Sequence, residues 1–206
     1  MRNSFGVILL LIAVSGCAHS KGARGESEKI VVKEDHSKKI VEGILKKKIR
    51  HYPKKYVKKL ASHLVDEAER HNISTALVLS VIQTESAFSP KVVSHKGAVG
   101  LMQVMPTTAA YIAKRESKIR FRKKRELQNP FVNLRFGIYY LAYLKDRYKG
   151  RIEHILSAYN AGPGKVDRIL KRNGVYHPQA TKGYVEKVTT LTQKFQDLLN
   201  EGANRI

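Results

Sequence analysis

The amino-acid sequence predicts a mostly α-helical domain that follows an N-terminal export segment. Two observations predict the helical class. Apolar residues recur at three- and four-residue spacing in segment after segment, which is the pattern of helices that pack one face against a core. No segment alternates apolar and polar residues over the length of a strand, so at most a minor sheet is expected. The length of 206 residues suits one globular domain with extensions.

The first 16 residues have the pattern of a signal peptide. Arg2 precedes an apolar run at residues 7–14, which is too short to span a bilayer in its final form, and Ser15-Gly16 supply the small residues of a cleavage site. The run that ends in Cys17, Val-Ser-Gly-Cys, is similar to the lipobox of bacterial lipoproteins, in which the cysteine becomes the acylated N-terminus. We therefore expect residues 1–16 to be removed and Cys17 to carry lipid. An ordinary secretory signal beside an incidental cysteine is the alternative.

Residues 17–45 are rich in Ser, Gly, Lys and Glu and show little apolar periodicity. They are predicted to form a flexible tether, with the folded domain spanning residues 46–206. A basic block follows, from Lys46 to Lys59. It lies close enough to the expected lipid to touch anionic headgroups, although the solvated face of a helix explains it equally well.

Within the domain, helical patterns alternate with short breaks. Ser74 and Asn129 are suitable N-caps, and Pro106 and Pro130 suit the first turns of helices. Gly137, inside a long helical pattern, is predicted to allow close packing. The predicted helices span residues 56–71, 75–86, 106–116, 130–148, 151–159, 166–171 and 180–199.

Glu85 is the strongest candidate for a chemical role. Val78, Ile82 and Glu85 share one face of the helix at 75–86, so the carboxyl is expected to lie against apolar neighbours. Burial disfavours the charged form and raises the pKa of a carboxyl, as a general acid working near neutral pH requires. A solvated or lysine-paired carboxyl at a helix end is the alternative, and the apolar stripe alone favours that alternative.

The residues around and after Glu85 indicate a pocket and a family. Gly97 and Gly100 permit positive φ or close approach of a ligand to the backbone. Three ordered motifs resemble those of the lytic transglycosylase (SLT, goose-lysozyme-like) family: Glu85-Ser86, then Gly100-Leu-Met-Gln103 with Met105-Pro106, then Ala158-Tyr-Asn-Ala-Gly162. The resemblance covers roughly residues 55–198 and implies a lysozyme-like helical fold of the SLT type.

The resemblance also implies a reaction. The enzyme would cleave the β-1,4 bond between N-acetylmuramic acid and N-acetylglucosamine in peptidoglycan without hydrolysis. Glu85 would act first as general acid and then as base on the 6-hydroxyl of the same sugar, which closes a 1,6-anhydro ring. No second carboxylate occurs between Glu85 and Glu116, so the family's assistance by the substrate N-acetyl group replaces it. A goose-type lysozyme, which uses water, and a non-catalytic peptidoglycan-binding envelope lipoprotein are the alternatives.

Six further residues match positions that the family uses to bind substrate: Ser94, Met102, Gln103, Tyr159, Asn160 and Tyr184. By the same resemblance, the serine would hydrogen-bond the N-acetyl group or Glu85, and the methionine and glutamine would line the sugar subsites. Tyr159 and Asn160 would hold the sugar and orient Glu85, and Tyr184 would lie near this acid. The structural alternatives are a turn cap for Ser94, a place in the core for Met102 and Tyr159, and a helix end for Asn160.

The charge of the chain indicates its partners. It carries 39 Lys+Arg against 17 Asp+Glu, a formal net charge of +22, and such a surface attracts polyanions. The export segment makes peptidoglycan and anionic lipid the expected partners and nucleic acid an unexpected one. The histidines show no metal-ligand spacing, so no metal or cofactor is expected. We expect a monomer, anchored by lipid in the bacterial envelope at the outer membrane and facing the periplasm.

Overall fold

The computed structural model describes residues 21–117, 119–174 and 179–203, and these are mostly helical. Within them, β-pairing is limited to two isolated bridges, Val93–Val99 and Val99–Val104. The predicted helical class is therefore confirmed. Short 3-10 helices lie at Lys124–Gln128 and Gln179–Thr181, and the α-helices are α1 (Lys21–Lys48), α2 (Lys54–Arg70), α3 (Thr75–Ser86), α4 (Pro106–Arg115), α5 (Pro130–Arg147), α6 (Ile152–Ala161), α7 (Pro163–Asn173) and α8 (Lys182–Ala203).

The helix α3 lies inside the domain. The Ser74 side chain caps it by accepting a hydrogen bond from the Leu77 backbone N–H at 3.5 Å, as predicted. Every residue from Ala76 to Ile82 is buried, because α8 packs along α3 and α2 contacts it from another side. A helix that is covered all round belongs to the core. Glu85 lies in its last turn, where the buried helix reaches the surface.

The predicted apolar stripes of α2 and α5 face the same core. The α5 helix begins at the Asn129 cap, whose side chain accepts a hydrogen bond from the Phe131 backbone N–H at 3.0 Å. On α5, a Cβ at Gly137 would overlap the side chain of Met102, so the loop between α3 and α4 reaches α5 because this residue is glycine. The buried apolar residues of the two stripes are Val57, Leu60, Leu64, Val65, Leu134, Ile138 and Leu141.

The N-terminal helix α1 differs from the predicted tether. Residues 21–45 are helical, and α1 packs against α2 and α8. Val41, Leu45 and Ile49 recur every four residues and are buried, so they form an apolar stripe that a Lys- and Gly-rich composition concealed. The folded domain therefore begins before residue 46.

The predicted signal peptide and the predicted lipid site at Cys17 lie outside the described residues. Among the helices of the described part, none combines the length and the apolar character that a membrane span needs.

We expect Leu45→Ala to lower the free energy of unfolding by about 2–5 kcal/mol, because it leaves a cavity where α1 meets the core. Chemical denaturation of the full chain measures this loss. The control is Lys47→Ala, an exposed position two residues further along α1, which should change stability by no more than about 0.5 kcal/mol. Equal stability of the two variants would mean that α1 is not part of the folded domain.

Candidate active site

An open groove of about 670 Å³ passes the end of α3. Its walls come from the last turn of α3, the loop between α3 and α4, and parts of α4, α5 and α6. Among its lining residues are Glu85, Ser94, Gln103, Tyr140, Tyr159 and Asn160. The groove therefore collects residues that are distant in the sequence around one carboxyl.

Glu85 is partly buried, and its carboxyl is hydrogen-bonded to a tyrosine. The Tyr184 hydroxyl on α8 donates to Glu85 Oε1 at 2.7 Å. Burial raises the pKa of Glu85, and the Tyr184 hydrogen bond and the charge of Lys187 offset only part of this rise. Because Oε1 accepts the tyrosine bond, a proton on this carboxyl is carried by Oε2. The carboxyl can therefore stay protonated at a pH where an exposed glutamate is ionised.

Tyr159 connects the groove to the backbone of the α3–α4 loop. Its hydroxyl donates to the carbonyl oxygen of Met102 at 2.8 Å, and its ring lies 5.5 Å from that of Tyr140, centroid to centroid. Burial raises the pKa of Tyr159 well above its usual value, and the charge of Glu85 adds to this effect. Tyr159 is therefore a neutral donor that joins α6 to the loop, while it also lines the groove.

Buried Asn133 on α5 holds the same loop in place. Its Oδ1 accepts a hydrogen bond from the Met102 backbone N–H at 2.8 Å, and its Nδ2 donates to the carbonyl oxygens of Val99 at 2.7 Å and Leu127 at 2.9 Å. Gly100 has φ +81°, and a Cβ there would overlap both the Asn133 amide and the Leu127 carbonyl. One amide thus hydrogen-bonds three backbone groups at the place where the loop meets α5. Sequence reasoning missed Asn133, since its spacing in α5 marks it only as a polar residue on an apolar face.

Four of the predicted binding residues line the groove: Ser94, Gln103, Tyr159 and Asn160. The side chains of two of them are hydrogen-bonded within the loop, since Ser94 Oγ accepts from the Ala98 backbone N–H at 3.0 Å and Gln103 Nε2 donates to the Gly100 carbonyl at 2.9 Å. Asn160 is exposed near the end of α6. Ser94 thus acts as the turn cap that the alternative interpretation described, and it also faces the groove.

The structure does not bring the Met102 side chain to the groove. Met102 is fully buried against Gly137, and Met105 lines the groove instead. Met102 lies within a tight turn, in which the Gln103 backbone N–H donates to the Gly100 carbonyl at 3.1 Å, and Met105 follows after this turn. Met102 is therefore a core residue, which was the structural alternative, and sequence proximity alone could not show which methionine faces the groove.

Sequence reasoning also missed Tyr140, which lines the groove from α5. Burial raises its pKa to about 12, so it is neutral at physiological pH. The tyrosines at 139, 140 and 143 were the available signal.

As for metals, no group of three or more His, Cys, Asp or Glu side chains in the described part of the chain lies together in a way that could hold an ion.

A helical domain with one partly buried, tyrosine-bonded carboxyl in an open groove defines the lysozyme-like class. The family model described as the transglycosylase SLT domain matches residues 64–181, which is more than half of the 206-residue chain. The chain therefore belongs to the SLT-domain family.

Several curated proteins are similar to this chain. The membrane-bound lytic murein transglycosylase C of Histophilus somni (strain 2336) is 38% identical over 111 residues, which cover 50% of this chain and 31% of that protein. The protein of the same name from Actinobacillus pleuropneumoniae serotype 5b is 34% identical over 157 residues, covering 62% and 43%. The chain thus spans less than half the length of these relatives.

Solved structures of the same family share the fold. An inactive mutant of the lytic transglycosylase Slt from Pseudomonas aeruginosa has a TM-score of 0.61 at 29% identity, over 68% of this chain and 24% of that one. The 70 kDa soluble lytic transglycosylase from Escherichia coli has a TM-score of 0.56 at 30% identity, over 68% of this chain and 26% of that one.

We expect Tyr184→Phe to raise the pKa of Glu85 further, because the variant removes the hydrogen bond that lowers it. The titration of the Glu85 carboxyl carbon, followed by NMR, measures the shift. Tyr139→Phe is the matched control, since Tyr139 lines a different cavity and should leave the titration unchanged. A pKa that falls or stays constant in Tyr184→Phe would contradict the geometry.

Proposed function

We propose that this chain is a peptidoglycan lytic transglycosylase that cleaves the β-1,4 bond between N-acetylmuramic acid and N-acetylglucosamine and leaves 1,6-anhydromuramoyl ends. One observation carries the proposal. Glu85, whose pKa is raised, is the single carboxylate among the described residues that line the groove. The relatives named as lytic murein transglycosylases support the same substrate class.

The first step uses Glu85 as the general acid. Its protonated carboxyl donates a proton from Oε2 to the glycosidic oxygen while the C1–O bond of the muramoyl residue breaks. The Tyr184 hydroxyl, bonded to Oε1, holds the carboxyl in position and stabilises the carboxylate that forms. The N-acetyl group of the muramoyl residue stabilises the positive charge at C1, which compensates for the lack of a second carboxylate.

The second step uses the same residue as a base. The Glu85 carboxylate takes the proton of the 6-hydroxyl, whose oxygen bonds to C1 and closes the anhydro ring. The acceptor belongs to the same sugar, so its effective concentration is high and one carboxyl serves both steps. Burial, which raises the pKa of Glu85, favours the return of the proton to it.

Two other functions remain as alternatives. A goose-type lysozyme would use the same acid but would need a water molecule positioned by a base, and the described groove lining offers no second carboxylate for that purpose. A non-catalytic peptidoglycan-binding lipoprotein would use the basic surface alone. The raised pKa of Glu85 favours catalysis over simple binding, and the lack of a second carboxylate in the described groove lining favours ring closure over hydrolysis.

We expect the full chain to release muropeptides that are lighter by one water than reducing muropeptides when it is incubated with purified sacculi. Glu85→Gln should release them about 10²–10⁴-fold more slowly, because it removes the proton donor. Mass spectrometry of the released products measures both. Glu153→Gln, an exposed carboxylate on α6, is the control and should behave like the wild type.

Each other outcome has a defined meaning. Reducing-end products would identify a lysozyme and contradict the intramolecular ring closure. Binding to sacculi without release by the wild-type chain would support the non-catalytic alternative. Anhydro products from Glu85→Gln at the wild-type rate would remove Glu85 from the mechanism.

We also propose that the chain is anchored to the bacterial outer membrane by lipid on Cys17 and acts as a monomer in the periplasm. The relatives named as membrane-bound support membrane association. A second contribution to membrane attachment comes from the lysines on either side of the turn between α1 and α2. Lys46, Lys47 and Lys48 end α1, Lys54 and Lys55 begin α2, and all five are exposed. These lysines would add electrostatic attraction to anionic headgroups.

We expect Cys17→Ser to abolish the incorporation of labelled fatty acid in a bacterial host, because the thiol is the acceptor of the lipid. Fractionation of the envelope should then find the variant in the soluble periplasmic fraction. If the variant instead stays with the outer membrane and keeps its label, Cys17 is not the anchor.

A further inference from the structure

A second cavity, of about 430 Å³, adjoins the groove near Glu85. The two share Thr108 and Tyr140 as lining residues, so a ligand in one can continue into the other. The second cavity is further lined by tyrosines and an arginine from α4 and α5. We call the set Tyr111, Arg115, Tyr143 and Arg147 the tyrosine–arginine platform. Tyr111, Tyr143 and Arg147 line the cavity, and Arg115 lies beside it against the two tyrosines.

The platform is held together by its own hydrogen bonds. Arg115 Nη1 donates to the Tyr111 hydroxyl at 2.9 Å, and that hydroxyl donates to the Tyr143 hydroxyl at 3.3 Å. Arg147 Nη1 donates to Tyr143 at 3.1 Å and its other amino group pairs with Asp167. Tyr111 is 40% exposed although it is a large aromatic residue. The platform is thus preorganised and accessible, as a binding surface should be.

Two arginines and a neighbouring ring lie against the aromatic rings of the platform. The guanidinium groups of Arg115 and Arg147 each lie 6.0 Å from the centroid of the Tyr143 ring, and Arg115 lies 5.2 Å from that of Tyr111. Tyr140 stacks on Tyr143, with the centroids 6.1 Å apart and the planes 13° apart. What the platform presents is therefore positive charge on an aromatic support, which suits an anionic ligand better than a neutral sugar.

Arg115 is the cation that is available. Arg147 is already paired with Asp167, whereas the contacts of Arg115 within the described residues are with the two tyrosines. A guanidinium carries five N–H donors and binds carboxylates in a bidentate manner. The platform is therefore suited to one carboxylate.

The platform also lies within reach of the groove. Tyr159 lines the groove, its ring lies 5.5 Å from that of Tyr140, and the Tyr140 ring lies 6.1 Å from that of Tyr143, centroid to centroid. The Arg115 guanidinium lies 6.0 Å from the Tyr143 centroid. A lactyl group and four extended residues together span roughly 16–18 Å, which covers these three steps. A peptide attached to a sugar in the groove can therefore reach Arg115.

We propose that the tyrosine–arginine platform binds a carboxylate of the stem peptide carried by the muramoyl residue, so that the chain prefers peptide-bearing glycan to bare glycan. This inference rests on the proposed peptidoglycan substrate. The glycan strand itself is neutral once the lactyl groups are joined to peptides, whereas the stems carry free carboxylates.

The test compares two substrates: peptide-bearing glycan strands, and the same strands after an amidase has removed their stem peptides. The quantity measured with the full chain is the ratio of kcat/KM on the first to kcat/KM on the second. Arg115→Gln should lower this ratio about 5-fold, as expected for the loss of one charge-assisted hydrogen bond at a solvent-accessible site. Lys114→Gln is the matched control, because it removes the same charge from the preceding exposed residue of α4, which lines a different cavity.

A binding measurement separates this inference from the proposed reaction. In the Glu85→Gln background, Arg115→Gln should weaken the binding of a fluorescent disaccharide-tetrapeptide about 5-fold, even if the wild-type chain releases no product. Equal ratios and equal affinities in Arg115→Gln and Lys114→Gln would overturn the inference. An equal loss of kcat/KM by Arg115→Gln on peptide-free strands would also overturn the inference, because the free lactyl carboxylates of those strands would then be the ligand. Matching thermal midpoints of the two variants would show that the folds are intact.

Discussion

The packing of α8 along α3 is the interaction on which the site depends. It covers a helix whose residues 76–82 are all buried, and it also places the Tyr184 hydroxyl 2.7 Å from Glu85 Oε1, although the two residues are 99 positions apart in the sequence. The same burial that stabilises the domain raises the pKa of the carboxyl. The acid thus acquires its chemical character from the core and not from a separate set of charged neighbours.

The loop between α3 and α4 is rigid for a related reason. A buried amide, Asn133, hydrogen-bonds the backbone at Met102, Val99 and Leu127, and Gly100 leaves room for it. Polar backbone groups that fold over a core need partners, and one side chain from α5 supplies three of them. The Tyr159 hydroxyl adds a hydrogen bond to the Met102 carbonyl of this loop. The groove wall is thereby fixed before any ligand binds, which reduces the entropy lost on binding.

The groove combines neutral tyrosines with a strongly basic protein. Burial keeps Tyr140 and Tyr159 in their neutral forms. The acidic and basic side chains that line the groove are Glu85, Lys96 and Lys165. The formal net charge is +22, and most lysines and arginines whose burial the structure describes are exposed. General attraction to an anionic polymer and local proton transfer are therefore carried by different residues, and each can be altered without the other.

The sequence by itself determined the helical class, the caps at Ser74 and Asn129 and the close packing at Gly137, because these follow from local spacing and backbone preference. It indicated Glu85 as the candidate acid through the resemblance of the surrounding motifs, since the apolar stripe alone favoured a solvated carboxyl. Only the tertiary structure decided that Met105 and not Met102 lines the groove, since Met102 lies within a tight turn and Met105 beyond it. It also decided that the helix at residues 21–48 joins the core and that Asn133 and Tyr140 serve the site. Those features depend on which faces of distant helices meet, and no local pattern encodes that choice.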